Sequence, residues 1–173
     1  KQLTMNAIQG LLDKSDYEDY YDYLNYRVDG YWLDEKLEEL YPDNGYQGLI
    51  PTLLFCLETE EEQKVGWSRI LPKAGAKTVC PILMCPDDCD FACRIVNAEI
   101  EHTGTTVRWN RVGLDMTQAN EHDLIGSTVQ WLDKVEPLEF ELGYYHRMLN
   151  AFRKHFEIDK EKWKESNRKF QEK

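Results

Sequence analysis

Apolar side chains in the first third of the chain recur at helical spacing. Ile8, Leu11 and Leu12 follow Thr4, a residue suited to an N-cap, and make a short stripe. Ser15-Asp16-Tyr17-Glu18 has the S-x-x-E form of a capping box, in which hydroxyl and carboxylate satisfy each other's free amides. Behind it, Tyr17, Tyr20, Tyr21, Leu24 and Val28 share one helical face. Asp16, Glu18, Asp19 and Asp22 crowd the first turns, where the helix dipole tolerates acids. Asp29-Gly30 closes this helix, and Leu33, Leu37 and Leu40 predict another, ended by Pro42-Asp43-Asn44-Gly45. Residues 1–45 therefore read as helical.

The period then shortens. Leu49 to Leu57 is apolar, Glu58-Thr59-Glu60-Glu61-Glu62 reads as a charged turn, and Val65 to Leu71 returns as the second arm of a hairpin. Thr78 to Cys85 and Phe91 to Glu101 flank Pro86-Asp87-Asp88, a strong turn signal. In the second of these strands neither alternating set is cleanly apolar, so the inward face stays open. Thr106 to Leu114 packs through Val107, Trp109 and Val112, and Ser127 to Leu132 adds a short strand. After Pro137 the helical period returns at Phe140, Tyr144, Tyr145, Leu149, Phe152 and Phe156, and Asp159 caps a last, basic helix with Trp163 and Phe170. The expectation is an α+β fold in a single domain, 1–173. Residues 48–132 form an antiparallel β-meander of about four to six strands, and residues 137–172 supply C-terminal helices. The helices pack on one face and at both chain ends.

Charge sharpens this reading. Residues 1–62 hold 15 Asp and Glu against 4 Lys and Arg, while residues 63–173 hold 17 of each, so the whole net charge of −11 lies in the first 62 residues. Such a field draws cationic surfaces and repels nucleic acid and anionic lipid. No apolar run approaches the roughly 20 residues of a membrane span, and the first residues lack the apolar core of a secretory signal. Five cysteines, an odd number, predict reduced thiols and a cytoplasmic protein rather than a disulfide-stapled secreted one.

Candidate chemistry is thin. Cys80, Cys85, Cys89 and Cys93 carry four thiols around Asp87 and Asp88, the one arrangement suggestive of zinc. On paired strands Cys89 and Cys93 could share a face while Cys80 and Cys85 would not, so buried apolar thiols are the simpler expectation. No nucleophile motif, P-loop, G-x-G-x-x-G or H-E-x-x-H occurs, which points away from an enzyme and from a cofactor. The tail from Arg153 to Lys173, with 8 basic and 5 acidic residues, reads as a solvated helix.

Gly48-Leu49-Ile50-Pro51-Thr52-Leu53-Leu54 and Gly66-Trp67-Ser68-Arg69-Ile70-Leu71-Pro72 carry a family resemblance. So do Pro81-Ile82-Leu83-Met84-Cys85-Pro86-Asp87-Asp88-Cys89-Asp90-Phe91 and Val107-Arg108-Trp109-Asn110-Arg111-Val112-Gly113-Leu114-Asp115. Together they resemble bacterial immunity proteins of polymorphic toxin and contact-dependent growth inhibition systems. The resemblance implies a small, acidic, cytosolic, non-enzymatic protein that binds one cognate toxin, often a basic nuclease, and occludes its active site or substrate surface. The cysteine count departs from what that role requires.

The expected partner is thus a toxin domain with a basic surface, and the expected docking face is Asp16, Asp19, Asp22, Tyr23, Tyr26 and Asp29. The glutamates Glu60, Glu61 and Glu62 form a second patch. Carboxylates would oppose the toxin's Lys and Arg while tyrosines anchor the contact. The competing expectations are a metal-binding regulator built on Cys80, Cys85, Cys89 and Cys93, and an acidic phosphate mimic that inhibits a DNA-binding protein.

Overall fold

The computed structural model describes residues 4–14, 22–57, 59–87, 90–117 and 121–173. Its α+β class matches the expectation: two antiparallel sheets and three helices. The first sheet orders β1 (Ile8–Asp13), β2 (Tyr23–Val28) and β3 (Tyr31–Trp32). The second orders β4 (Ile50–Pro51), β5 (Lys77–Met84), β6 (Ile95–His102), β7 (Thr106–Asp115) and β8 (Val129–Trp131). In it, β9 (Leu138–Glu141) shares one edge of β7 with β8: Thr106–Trp109 pairs with β9 and Gly113–Asp115 with β8. The helices are α1 (Leu33–Leu40), α2 (Glu60–Arg69) and α3 (Leu142–Gln171).

The first two segments of the acidic third that were expected to be helical, Ile8–Asp13 and Tyr23–Val28, are the arms of a β-hairpin, whereas the helix expected at Leu33, Leu37 and Leu40 is α1. Ile8 pairs with Val28 and Asp13 with Tyr23. The Asp29-Gly30 pair that was expected to end a helix is the two-residue turn between β2 and β3, with φ of 49° and 83°. Positive φ at both central positions is the type I′ geometry that suits the strand twist, and Asp-Gly is a preferred pair for it. The helical period arose because β2 is covered on both sides: Tyr23, Leu24, Asn25, Tyr26 and Val28 are all buried. A strand sandwiched in this way loses the alternation that marks a half-exposed one. Ser15 and Glu18 lie outside the described residues.

Two other elements depart from expectation. Val65 to Leu71 lies largely in α2 rather than a strand, and the glutamate run is that helix's first turn. Thr59 caps it, its Oγ1 accepting from the Glu62 amide at 3.2 Å and donating to the Glu62 carboxylate at 3.0 Å. The two expected C-terminal helices are one 30-residue helix, preceded by a strand at Leu138–Glu141.

The inward face of β6, left open by its sequence, is Val96, Ala98 and Ile100, all fully buried and paired with Leu114, Val112 and Trp109. The pairing slips between Glu99 and Ile100, so Val107 and Trp109 face inward and, past one extra residue, Val112 and Leu114 do the same. Over this face lies an aromatic cluster. Tyr26 meets Trp109 edge-on at 5.7 Å and Phe152 at 5.1 Å, Trp109 meets Phe140 at 5.4 Å, and Phe140 stacks on Tyr145 at 5.9 Å. Residues from the hairpin, the large sheet and α3 thus share one core.

Candidate partner interface

The opposite face of the large sheet is a ladder of charges. Glu99 pairs with Arg111 at 3.0 Å, Arg108 with Glu139 at 2.8 Å, and Asn110 donates to Glu101 at 3.3 Å. Arg111 also lies over the Trp131 ring at 4.1 Å. These charges satisfy each other, so this face offers little uncompensated field.

The acidic third is different. Its described residues hold eleven carboxylates against Lys14, Arg27 and Lys36, and of those carboxylates only Asp34 is buried. Lys36 pairs with Glu39 at 3.5 Å and Arg27 lies over Trp32 at 4.7 Å. Charge balance here is left to solvent or to a partner.

The expected docking residues do not come together as one face. Tyr23 and Tyr26 are core residues, 9% and 0% exposed, and burial raises the Tyr26 phenol well above its usual pKa. Asp22 and Asp29 flank opposite ends of β2, about 20 Å apart at strand rise. Asp29 is exposed but occupied: one oxygen accepts from Asn6 Nδ2 at 2.6 Å and the other from the Ala7 amide at 2.7 Å. Glu60, Glu61 and Glu62 sit on α2, which packs on β5. Asp16 and Asp19 lie outside the described residues. Those phenols failed as anchors because a tyrosine on a doubly covered strand is a core residue with a polar tip.

What the structure does assemble is an open cavity of about 360 Å³ beside α1. Its floor is Leu33, Leu37, Leu40, Val135, Pro137 and Leu138, and Asp29, Glu136, Lys36 and Lys134 line it too. Tyr31 stands in its wall, half-buried, its phenol pushed up to about 12 by burial first and by the neighbouring Asp29 carboxylate second. Lys36 lies over the Tyr31 ring at 5.6 Å. Lys134 lies over Tyr41 at 5.2 Å and donates to the Leu40 carbonyl at 3.4 Å. Apolar floor, phenol and carboxylate can hold the stem and head of a long cationic side chain. Sequence reasoning missed this cavity because residues 134–138 reach it from the far end of the chain.

Behind α1 a buried polar knot fixes the helix. Asn25 Nδ2 donates to Asp13 and to Asp34 at 3.1 Å each, and Asp34 accepts from the Gly48 amide at 2.9 Å. Burial raises the Asp34 pKa more than these hydrogen bonds and the nearby Asp13 alter it, and the net shift is upward. Glu38 accepts from the Tyr46 and Asp43 amides at 2.9 Å each, which lowers its pKa.

The cysteines do not converge. Cys80 is buried in β5, its Sγ 3.6 Å from the Gly66 carbonyl oxygen, and burial holds its thiol far above the usual range. Cys85 ends up beside Cys93 at the turn; burial first, then the Cys93 thiol, push it up to about 11. Cys89 lies outside the described residues. Among the described residues no group of three or more metal-ligating side chains forms. Cys80, Cys85 and Cys93 are free, as expected, but Cys56 is disulfide-bonded, which departs from a fully reduced chain.

No helix among the described residues is long and apolar enough to cross a membrane. Compared with family models, curated proteins and solved structures, the chain matches none of them.

Proposed function

We propose that this protein is a stoichiometric inhibitor of the immunity type, one that neutralises a toxic effector domain by covering its active site or substrate surface. One observation carries the reading: the N-terminal third keeps its acid excess facing solvent, eleven described carboxylates to three cations, with only Asp34 withdrawn. A long-range field of this kind steers a cationic partner to the molecule without needing a single contiguous patch. The α1 cavity then supplies the short-range hold, with Tyr31 and the leucines of α1 in place of the buried Tyr23 and Tyr26. A catalytic role is not part of this proposal, and neither is direct contact with nucleic acid.

The compartment is the part of the expectation that the disulfide pulls against. A bonded Cys56 favours an oxidising location over the cytosol.

The test is to read the adjacent upstream reading frame and co-express this chain with any toxic effector domain that it encodes. The expected outcome is restored growth and a one-to-one complex, with an association rate that falls steeply between low and physiological salt. Reversing exposed Glu35, Glu39, Glu60 and Glu61 should slow association by about tenfold or more. An effector that remains toxic and elutes separately overturns the reading.

A further inference from the structure

The last half of α3 has no body beneath most of its length. Phe156 is its last buried residue, and everything from Glu161 onward is exposed. At the rise of an α-helix, the 15 residues after Phe156 project about 22 Å. An isolated helix that short is marginal in water. The glutamates at 161 and 165 brace it, with Lys164, Arg168 and Lys169 at 3.6, 3.6 and 3.9 Å.

Its apolar stripe does not stop where the body does. Leu149, Phe156, Trp163 and Phe170 recur every seven residues, so the face that packs on the core continues into solvent. Trp163 is 56% exposed and Phe170 84%. Phe55 forms a shelf under the overhang, edge-on to Phe156 at 5.4 Å and to Trp163 at 5.9 Å. Between shelf and helix lies an open groove of about 490 Å³, floored by Phe55, Cys56 and Leu57. A second hollow of about 250 Å³ along α2 and α3 shares Glu60, Gln63 and Lys160 with it and adds Trp67, Arg153 and Lys64.

Charge selects the occupant. Arg153, Lys160 and Lys164 follow one another at seven and four residues, so they edge the same side of the stripe. Lys64 joins them from α2, and the opposing charges in the groove are Glu60 and Glu157. This is the basic end of an acidic protein: 8 Lys and Arg against 5 Asp and Glu over residues 153–173, in a chain of net charge −11. A polyanion has no apolar anchors to place against Phe55, Leu57 and Trp163, so charge alone does not fill the groove. A peptide segment with apolar anchors and acidic flanks satisfies walls and rim together.

We propose that the groove between α2 and the projecting end of α3 is a second docking site, and that it takes an acidic amphipathic helix from another protein. The site shares the Glu60 carboxylate with the acidic third but no residue with the α1 cavity, and it takes a partner of opposite charge, so its test is separate from that of the inhibitor reading.

The test uses the full chain and a fluorescent peptide of about 20 residues, with leucines every seven positions and glutamates beside them. A counterpart with lysines in place of the glutamates is run beside it. The acidic peptide should bind and the lysine one should not. Lys160→Glu with Lys164→Glu, and separately Trp163→Ala, should each weaken binding by about tenfold or more. Trp163 and Lys164 are exposed and Lys160 is only half-buried on the same surface, so circular dichroism should report an unchanged fold. Equal binding of both peptides, or of neither, overturns the proposal. So does Trp163-dependent binding to phosphatidylserine vesicles without peptide binding, which would make the helix a membrane anchor. Trp163-dependent dimerisation of the protein alone, seen by sedimentation, would assign the groove to a second copy and overturn it equally.

Discussion

The indole N–H of Trp109 donates to the Tyr145 hydroxyl at 3.2 Å, and that hydroxyl donates onward to the Ile70 carbonyl at 2.7 Å. One phenol therefore links the centre of the large sheet, the first turns of α3 and the end of α2, and all three residues are buried. Tyr145→Phe keeps the ring and leaves the indole donor and the Ile70 carbonyl without this partner. Leaving buried polar groups unpaired costs about 1–3 kcal/mol each. The expected loss is about 2–4 kcal/mol in urea unfolding, with an unchanged denaturant slope. A loss below about 0.5 kcal/mol would show that the relay contributes nothing.

Asp34 makes stability depend on pH in a definite direction. Its pKa is higher in the folded protein than the ordinary carboxylate value, so above that value the native state retains a proton that the unfolded chain has lost. Stability from this group is present at low pH and is lost as pH rises through the folded pKa. Asp34→Asn removes the titration. The wild type should therefore lose stability relative to the variant as pH rises above the ordinary carboxylate range. A pH-independent difference between the two unfolding series contradicts the assignment.

Thiol labelling should proceed in a fixed order. Cys93 is exposed, Cys85 is half-buried with its thiol pushed up to about 11, and Cys80 is fully buried. Alkylation rate follows access and thiolate fraction. Peptide mass spectrometry should find Cys93 modified first, Cys85 later, Cys80 after denaturation and Cys56 only after reduction. Labelling of Cys56 in native protein without reductant would remove the disulfide from the account, and with it the argument for an oxidising compartment.

Gly113 is where β8 crosses β7 too closely for a side chain. A Cβ there would stand 2.5 Å from Val129 Cγ1, 2.6 Å from the Gln130 carbonyl oxygen and 2.9 Å from the Trp131 ring. Gly113→Ala should cost about 1–3 kcal/mol as overpacking. It should also speed hydrogen exchange at residues 129–131 well before it affects β5 or β6. Uniform exchange across the sheet would contradict a local wedge.

The sequence was most readable where one face of an element meets water. Leu33, Leu37 and Leu40 marked α1, and the strands expected at Thr78 to Cys85, Phe91 to Glu101 and Thr106 to Leu114 came out as β5, β6 and β7. Reading failed at β2, where cover on both sides hides the two-residue period. It also failed at Val65–Leu71, a segment too short for its period to separate strand from helix. The cavity beside α1 was illegible for another reason. It joins residues 29–40 to residues 134–138, a pairing that depends on topology and not on any local pattern. Asp29-Gly30 did hold a usable signal: Asp-Gly between two runs of β-branched and aromatic residues is a hairpin turn.

Asn6 is tied to Glu139 twice, its amide donating to that carbonyl at 2.7 Å and its side-chain oxygen accepting from that amide at 2.9 Å. The two residues are 133 positions apart. During synthesis at about 5–20 residues per second, the N-terminal hairpin leaves the ribosome many seconds before its neighbour in the finished protein exists. Through that interval the hairpin lacks the cover that β9 and α3 give it in the finished protein. Nascent chains of this protein should therefore be clients for chaperones that shield apolar strands until β9 has been translated.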